Sequence, residues 1–228
     1  MDDEDYYLRT FEDLLYDSVY LLYFAHDTNQ DEYKDDVLSS FVRSSIVNSL
    51  LLLECGANCC IDALDLSNKY YNDIEKLPFI SKFEYFLDHV NSDKKLNRGC
   101  KEIQAINDLK NIRDSYVHPK VRKAKYEQIK ENIWDTDFGK TNFIGFPRNP
   151  RKWKNAHAIL ALKTVNDFYN NYFIELCEFS ADTTVDLLLN SHKVDIECSS
   201  GAAIDCVGSL DRAVTEWDID FKFIGKTV

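Results

Sequence analysis

Glycine and proline are scarce in this chain, with 7 and 4 in 228 residues. That leaves little material for long disordered linkers. There is no Gly-x4-Gly-Lys-Ser/Thr phosphate loop, no His-Glu-x2-His pair and no nucleophile elbow, which excludes the commonest nucleotide-hydrolase, zinc-protease and serine-hydrolase signatures. The triplet Asp137-Phe138-Gly139 matches part of a kinase, but no glycine-rich loop, strand lysine or His-Arg-Asp loop accompanies it. An uninterrupted apolar run is missing too. The stretch Ile46 to Leu64 is broken by Asn48, Glu54, Asn58 and Asp62, so it is expected to be a buried helix and not a membrane span. The opening Met1-Asp2-Asp3-Glu4-Asp5 is acidic, the opposite of a secretory or mitochondrial leader. A soluble, cytoplasmic protein with no membrane association is the expectation.

Cysteines number 7, an odd count, and no Cys-x2-Cys pair faces a second one. Cys55 and Cys59 lie one helical turn apart beside Cys60 in an apolar segment, which suits buried thiols better than a metal site. His26, His89, His157 and His192 are scattered, as surface or helix-capping histidines are. No metal and no cofactor is expected.

The net charge of -12 argues against non-specific nucleic-acid binding by the whole surface. Its distribution is uneven. Residues 1 to 36 carry twelve acids against only Arg9 and Lys34, whereas residues 98 to 130 carry nine cations against four acids. The basic stretch is either a solvated face or a phosphate-binding groove.

The hydrophobic period is helical through most of the chain. Phe11, Leu14, Leu15, Ser18, Leu21, Leu22 and Ala25 form a stripe on a helix near residues 5 to 26. A long helix is expected from about Asp35 to Leu66, with Gly56 inside it to permit close packing. A third follows Pro78. A fourth carries Ile103, Ile106, Leu109, Ile112 and Tyr116 inward, and ends at His118 because the residue before Pro119 is pushed away from helical dihedrals. From Trp134 to Arg151 the chain is expected to be irregular, and a last long helix to span Trp153 to Phe179. The Lys152-Trp153-Lys154 cluster either stacks and binds phosphate or simply begins that helix. Two later stretches, Val194 to Cys198 and Trp217 to Phe223, alternate with period two and suggest strands. The expected architecture is all-α, an antiparallel helical bundle with a small β-containing C-terminal appendage. It divides into an acidic N-terminal helical extension at 1–34, the bundle at 35–179, and an appendage at 180–228 with a short helix and room for a β-hairpin.

The string Asn111-Ile112-Arg113-Asp114-Ser115-Tyr116-Val117-His118-Pro119-Lys120 carries the chemistry. Arginine offers a permanently charged planar fork for phosphate oxygens. Histidine titrates near neutrality and suits proton transfer. These are the residue types that RNA cleavage without a metal requires. On a regular helix a separation of five residues turns a side chain by about 140°, so Arg113 and His118 do not share a face. They converge if the helix unwinds, or if a symmetric dimer brings two loops together.

Arg-x4-His with a polar residue after the arginine resembles the motif of the HEPN superfamily, helical domains that include many metal-independent ribonucleases. The resemblance covers about residues 35 to 179. It implies a HEPN-type bundle acting as a homodimeric endoribonuclease in stress response, toxin-antitoxin control or phage defence, with RNA as substrate and an antitoxin or other protein as a further partner. It assigns Arg113 to the scissile phosphate, His118 to proton transfer and Asp114 to orienting them. Glu54 and Asn58, one turn apart on the preceding long helix, become supporting residues with Tyr116. Lys110, Lys120, Arg122 and Lys123 would attract the RNA backbone. Asp114 stands where asparagine is commoner. The alternative is a catalytically inactive HEPN-like module that binds nucleotide, RNA or a protein. There the acidic N-terminus is a contact face or occupies a basic groove in cis.

Overall fold

The apolar stretch around Ile46 to Leu64 becomes the axis of the molecule. In the computed structural model, which describes residues 6–27, 35–118, 120–121, 123–124, 126–131, 133–194, 196 and 210–227, α2 (Asp35–Asp62) contacts six other helices. α1 (Phe11–Asp27) packs most closely on it; α3 (Asn68–Ile74), α4 (Phe79–Val90), α5 (Lys101–Val117), α6 (Asn155–Tyr169) and α7 (Ala181–Leu189) also touch it. α2 is long and apolar enough to cross a membrane, but most of its apolar stretch is buried inside this fold. α8 (Asp211–Trp217) completes the helices among the described residues. The protein is a mostly helical bundle.

One continuous buried cluster holds these elements together. It runs from Phe11, Leu15 and Leu22 on α1 through Ile46, Leu53 and Ala57 on α2 to Phe83, Ile106, Phe168 and Tyr169, and on to Leu188, Val214, Ile219, Phe221 and Phe223. So α1, expected as an extension, and the residues after 180, expected as an appendage, both bury apolar side chains in the same core. Burial of each such side chain contributes about 1.5–3 kcal/mol, which makes the two ends of the described chain energetically part of the bundle.

Gly56 provides the close approach its position suggested. A Cβ there would stand 2.5 Å from the Tyr169 hydroxyl, which donates to the Leu52 carbonyl at 2.6 Å. After Tyr169 the expected single helix changes winding. Residues Asn170–Leu176 form a π-helical stretch, whose wider turn buries Tyr172 and Phe173 together with Phe168 and Tyr169. The Tyr172 hydroxyl donates to the Phe83 carbonyl at 2.6 Å.

Two expectations of strand placement are corrected. The segment from Trp217 to Phe223 is not a strand: Trp217 ends α8, Asp218 takes a left-handed conformation (φ 53°), and Lys222–Ile224 is a 3-10 turn. The period-two signal nevertheless reported burial correctly, since Ile219, Phe221 and Phe223 all face the core. Pairing occurs instead at β1 (Tyr126–Lys130) and β2 (Ile133–Thr136), antiparallel with Tyr126 opposite Thr136, partly inside the stretch expected to be irregular. The alternation from Val194 to Cys198 falls mostly outside the described residues.

Candidate functional site

α5 carries the motif because its inner face, Ile103, Ile106, Leu109 and Ile112, is buried, which fixes the rotation of the helix and so of Arg113. The helix stops where the proline rule placed its end. His118 is its C-cap, with φ -112° and ψ 67°, and its backbone N–H still reaches the Asp114 carbonyl at 3.1 Å.

Arg113 turns toward α2. Its Nη2 donates to Glu54 Oε2 at 2.7 Å, and its Nε lies 3.3 Å from Asp114 Oδ1. The other Asp114 oxygen accepts from Lys110 Nζ at 2.8 Å, one turn earlier on α5. One turn beyond Glu54, Asn58 Oδ1 accepts from Lys82 Nζ of α4 at 2.7 Å. Burial holds the Lys82 ammonium below its usual lysine range, opposed by the negative charges of Glu54 and Glu75. Two neighbouring turns of α2 therefore each receive a cation from a different helix. Buried polar groups in such an interface need partners, and here they have them.

The imidazole of His118 is exposed, and no hydrogen bond or ion pair joins it to Arg113 among the described residues. Asp114 pairs with the arginine through its side chain, and its carbonyl accepts the last backbone bond of the helix. Of the residues expected to attract RNA, Lys110 is engaged by Asp114, Lys120 and Lys123 are exposed, and Arg122 lies outside the described residues.

Tyr116 packs on Trp153, ring centroids 5.4 Å apart at 39°. Trp153 is not available as a stacking platform. It is buried, its Nε1 donates to the Pro147 carbonyl at 2.8 Å, and its ring also meets Phe146 edge-to-face. Beyond Tyr116 opens a cleft of about 500 Å³, lined by Ser115, Tyr116, Lys120, Phe138, Arg148, Asn149, Pro150 and Arg151. Sequence reasoning missed Lys82, Phe138, Arg148 and Arg151. Lys82 hid in an amphipathic helix, and the other three lie on a loop whose path no periodicity encodes.

Elsewhere, Cys55 approaches the start of α1: its Sγ lies 3.5 Å from Thr10 Oγ1. A hydrogen bond from Cys59 lowers the Cys55 thiol to about 7, with Thr10 and Arg9 contributing in the same direction against the effect of burial. Cys59 is pushed up correspondingly, by that hydrogen bond and by burial. Among the described residues no group of three His, Cys, Asp or Glu side chains is arranged to hold a metal ion. Comparison with known proteins finds no matching family model, no similar curated protein and no similar solved structure.

Proposed function

We propose that this protein is a metal-independent endoribonuclease of the HEPN type, acting as a homodimer. The observation that carries the reading is the Glu54–Arg113–Asp114 cluster beside an exposed His118 on the same helix. A guanidinium held by two carboxylates is pre-oriented for a phosphate, which it binds through its fork by exchanging partners. In the reaction a histidine takes the proton of an RNA 2′-hydroxyl, the oxygen attacks the neighbouring phosphorus, and the 5′-oxygen leaves with a proton. The products are a 2′,3′-cyclic phosphate and a 5′-hydroxyl. Each chain brings one His118, so a second copy provides the second proton-transfer group and places its Arg113 across the cleft. Val117, Val121 and Tyr126, large apolar residues exposed around the motif, favour a self-association surface there. Stress response, toxin-antitoxin control and phage defence are the settings that the motif suggests, with an antitoxin as partner.

The test incubates purified protein with tRNA, ribosomal RNA and mRNA in EDTA, beside His118→Ala and Arg113→Ala. Discrete cleavage by the wild type alone is expected. Equal cleavage by a folded His118→Ala protein sinks the assignment.

A second reading draws on the same cluster. Arg113 is already neutralised by two acids and its side chain is only 16% exposed, which suits a non-catalytic module that binds nucleotide, RNA or a protein. RNA retained but uncut in every lane selects it.

A further inference from the structure

We propose that the cleft beside Tyr116 binds a nucleotide unit, its base against the Tyr116 and Phe138 rings and its phosphate on Arg148, Arg151 and Lys120. The chain carries a net charge of -12, yet this cleft has three cations on its lining and no carboxylate. Among the described residues none of the three is in an ion pair. Unmatched cations gathered in one concavity of an acidic protein raise the local concentration of anions.

The walls are built to hold a shape. Arg148 is fixed by two bonds, Nε to the Lys140 carbonyl at 3.1 Å and its backbone N–H to the Gly139 carbonyl at 3.0 Å, while the terminal nitrogens of its fork remain for a ligand. Asp108 Oδ2 of α5 accepts from the backbone N–H groups of Phe143 and Ile144 at 2.7 and 3.0 Å, tying this loop to the motif helix. Asn149 caps the short turn that carries Arg151, accepting its backbone N–H at 3.1 Å. Tyr116 and Phe138 are each half-buried, so each is anchored while leaving part of its ring on the cleft. Aromatic faces hold bases of any sequence, and guanidinium forks match phosphate oxygens. A volume of about 500 Å³ falls within the usual range for small-ligand pockets.

This deepens the ribonuclease reading by adding a subsite two residues from His118, but its chemistry stands without catalysis. The experiment therefore measures binding. A fluorescent single-stranded RNA 12-mer is titrated against full-length wild type, Lys120→Glu/Arg151→Glu and Phe138→Ala, at several salt concentrations and in parallel with thermal melting. The charge variant is expected to bind at least tenfold more weakly with a shallower salt dependence, and Phe138→Ala to lose several-fold affinity, with melting unchanged. Unaltered affinity and salt slope in folded variants overturns the cleft, whether or not the wild type cuts RNA. Lost binding by these variants, from a protein that never cuts RNA, keeps the cleft and removes the ribonuclease reading. Displacement of the RNA by AMP identifies a free nucleotide as a sufficient ligand. Displacement only by unlabelled RNA identifies the strand. Equal displacement by a 12-residue glutamate peptide overturns the proposal in favour of an acidic protein partner.

Discussion

Arg113 on α5 and Glu54 on α2, 59 residues apart in sequence, meet at 2.7 Å and couple the motif helix to the central helix of the bundle. Glu54 is 42% exposed and Arg113 16%, so the pair is half-solvated. A double-mutant cycle with Glu54→Ala and Arg113→Ala should give a coupling energy of about 1 kcal/mol by urea denaturation. Coupling near zero means that the pair is incidental. Under the proposed function Glu54→Gln should also tighten RNA binding severalfold, by freeing the guanidinium, while slowing cleavage.

Gly56→Ala tests the contact with Tyr169. Alanine favours a helix by about 1 kcal/mol, but forcing a methyl into a filled core costs about 1–3 kcal/mol and here also pushes on a buried hydroxyl. With 2.5 Å to the Tyr169 oxygen, net destabilisation is expected. Tyr169→Phe in the Gly56→Ala background should cost less than it does in the wild type, since it removes the atom that is struck. Strict additivity of the two changes in chemical denaturation contradicts the contact.

Acid should weaken the start of α6. His157 Nδ1 accepts the Lys154 backbone N–H at 2.9 Å, which requires the unprotonated ring. Burial holds its pKa below the ordinary 6.5, with Lys154 and Lys140 pulling the same way. Below pH 6.5 the unfolded chain therefore gains a proton that the folded one refuses. This contribution to stability is complete above about pH 6.5 and declines as pH falls toward the folded value. His157→Ala should cost about 0.5–2 kcal/mol at pH 7.5 and flatten that part of the stability profile. A profile identical to the wild type rejects this role.

Cys55 should be the fastest of the described thiols to alkylate. With its pKa lowered to about 7, its iodoacetamide rate should climb through neutral pH. Cys60, which burial pushes up, should stay inert in the folded state. Peptide mapping after brief labelling checks this, and a Cys55 signal no faster than that of Cys100 refutes it. Thr10→Val should slow Cys55 by removing a hydrogen bond to its sulfur.

Much of this architecture was legible where apolar spacing and stop signals agree. The stripe on α1, the course of α2, the end of α5 at His118 and the special place of Gly56 all follow from residue type and period. Glu54 and Asn58 also stood out, because polar residues on an apolar helix must find partners. One short element was lost: α3 spans only seven residues, too few for a period to emerge. β1 contains two apolar residues among five, so its pairing left no alternating trace. Trp217 to Phe223 misled in the opposite way, since a 3-10 turn can bury alternate side chains as a strand does. The cleft was illegible because Phe138, Arg148 and Arg151 meet through hydrogen bonds of a loop, which local composition does not announce.

The ring of Phe223 lies 6.4 Å from that of Phe11 and 5.1 Å from that of Tyr169. This has a consequence for synthesis on the ribosome. Phe11 emerges more than two hundred residues before the side chain that covers it, and Tyr169 more than fifty. The early helices can collapse on one another, but their aromatic surface stays open until the segment containing Ile219, Phe221 and Phe223 has left the exit tunnel. Such long-range closure is slow and leaves the nascent chain dependent on protection from aggregation until that segment is in place.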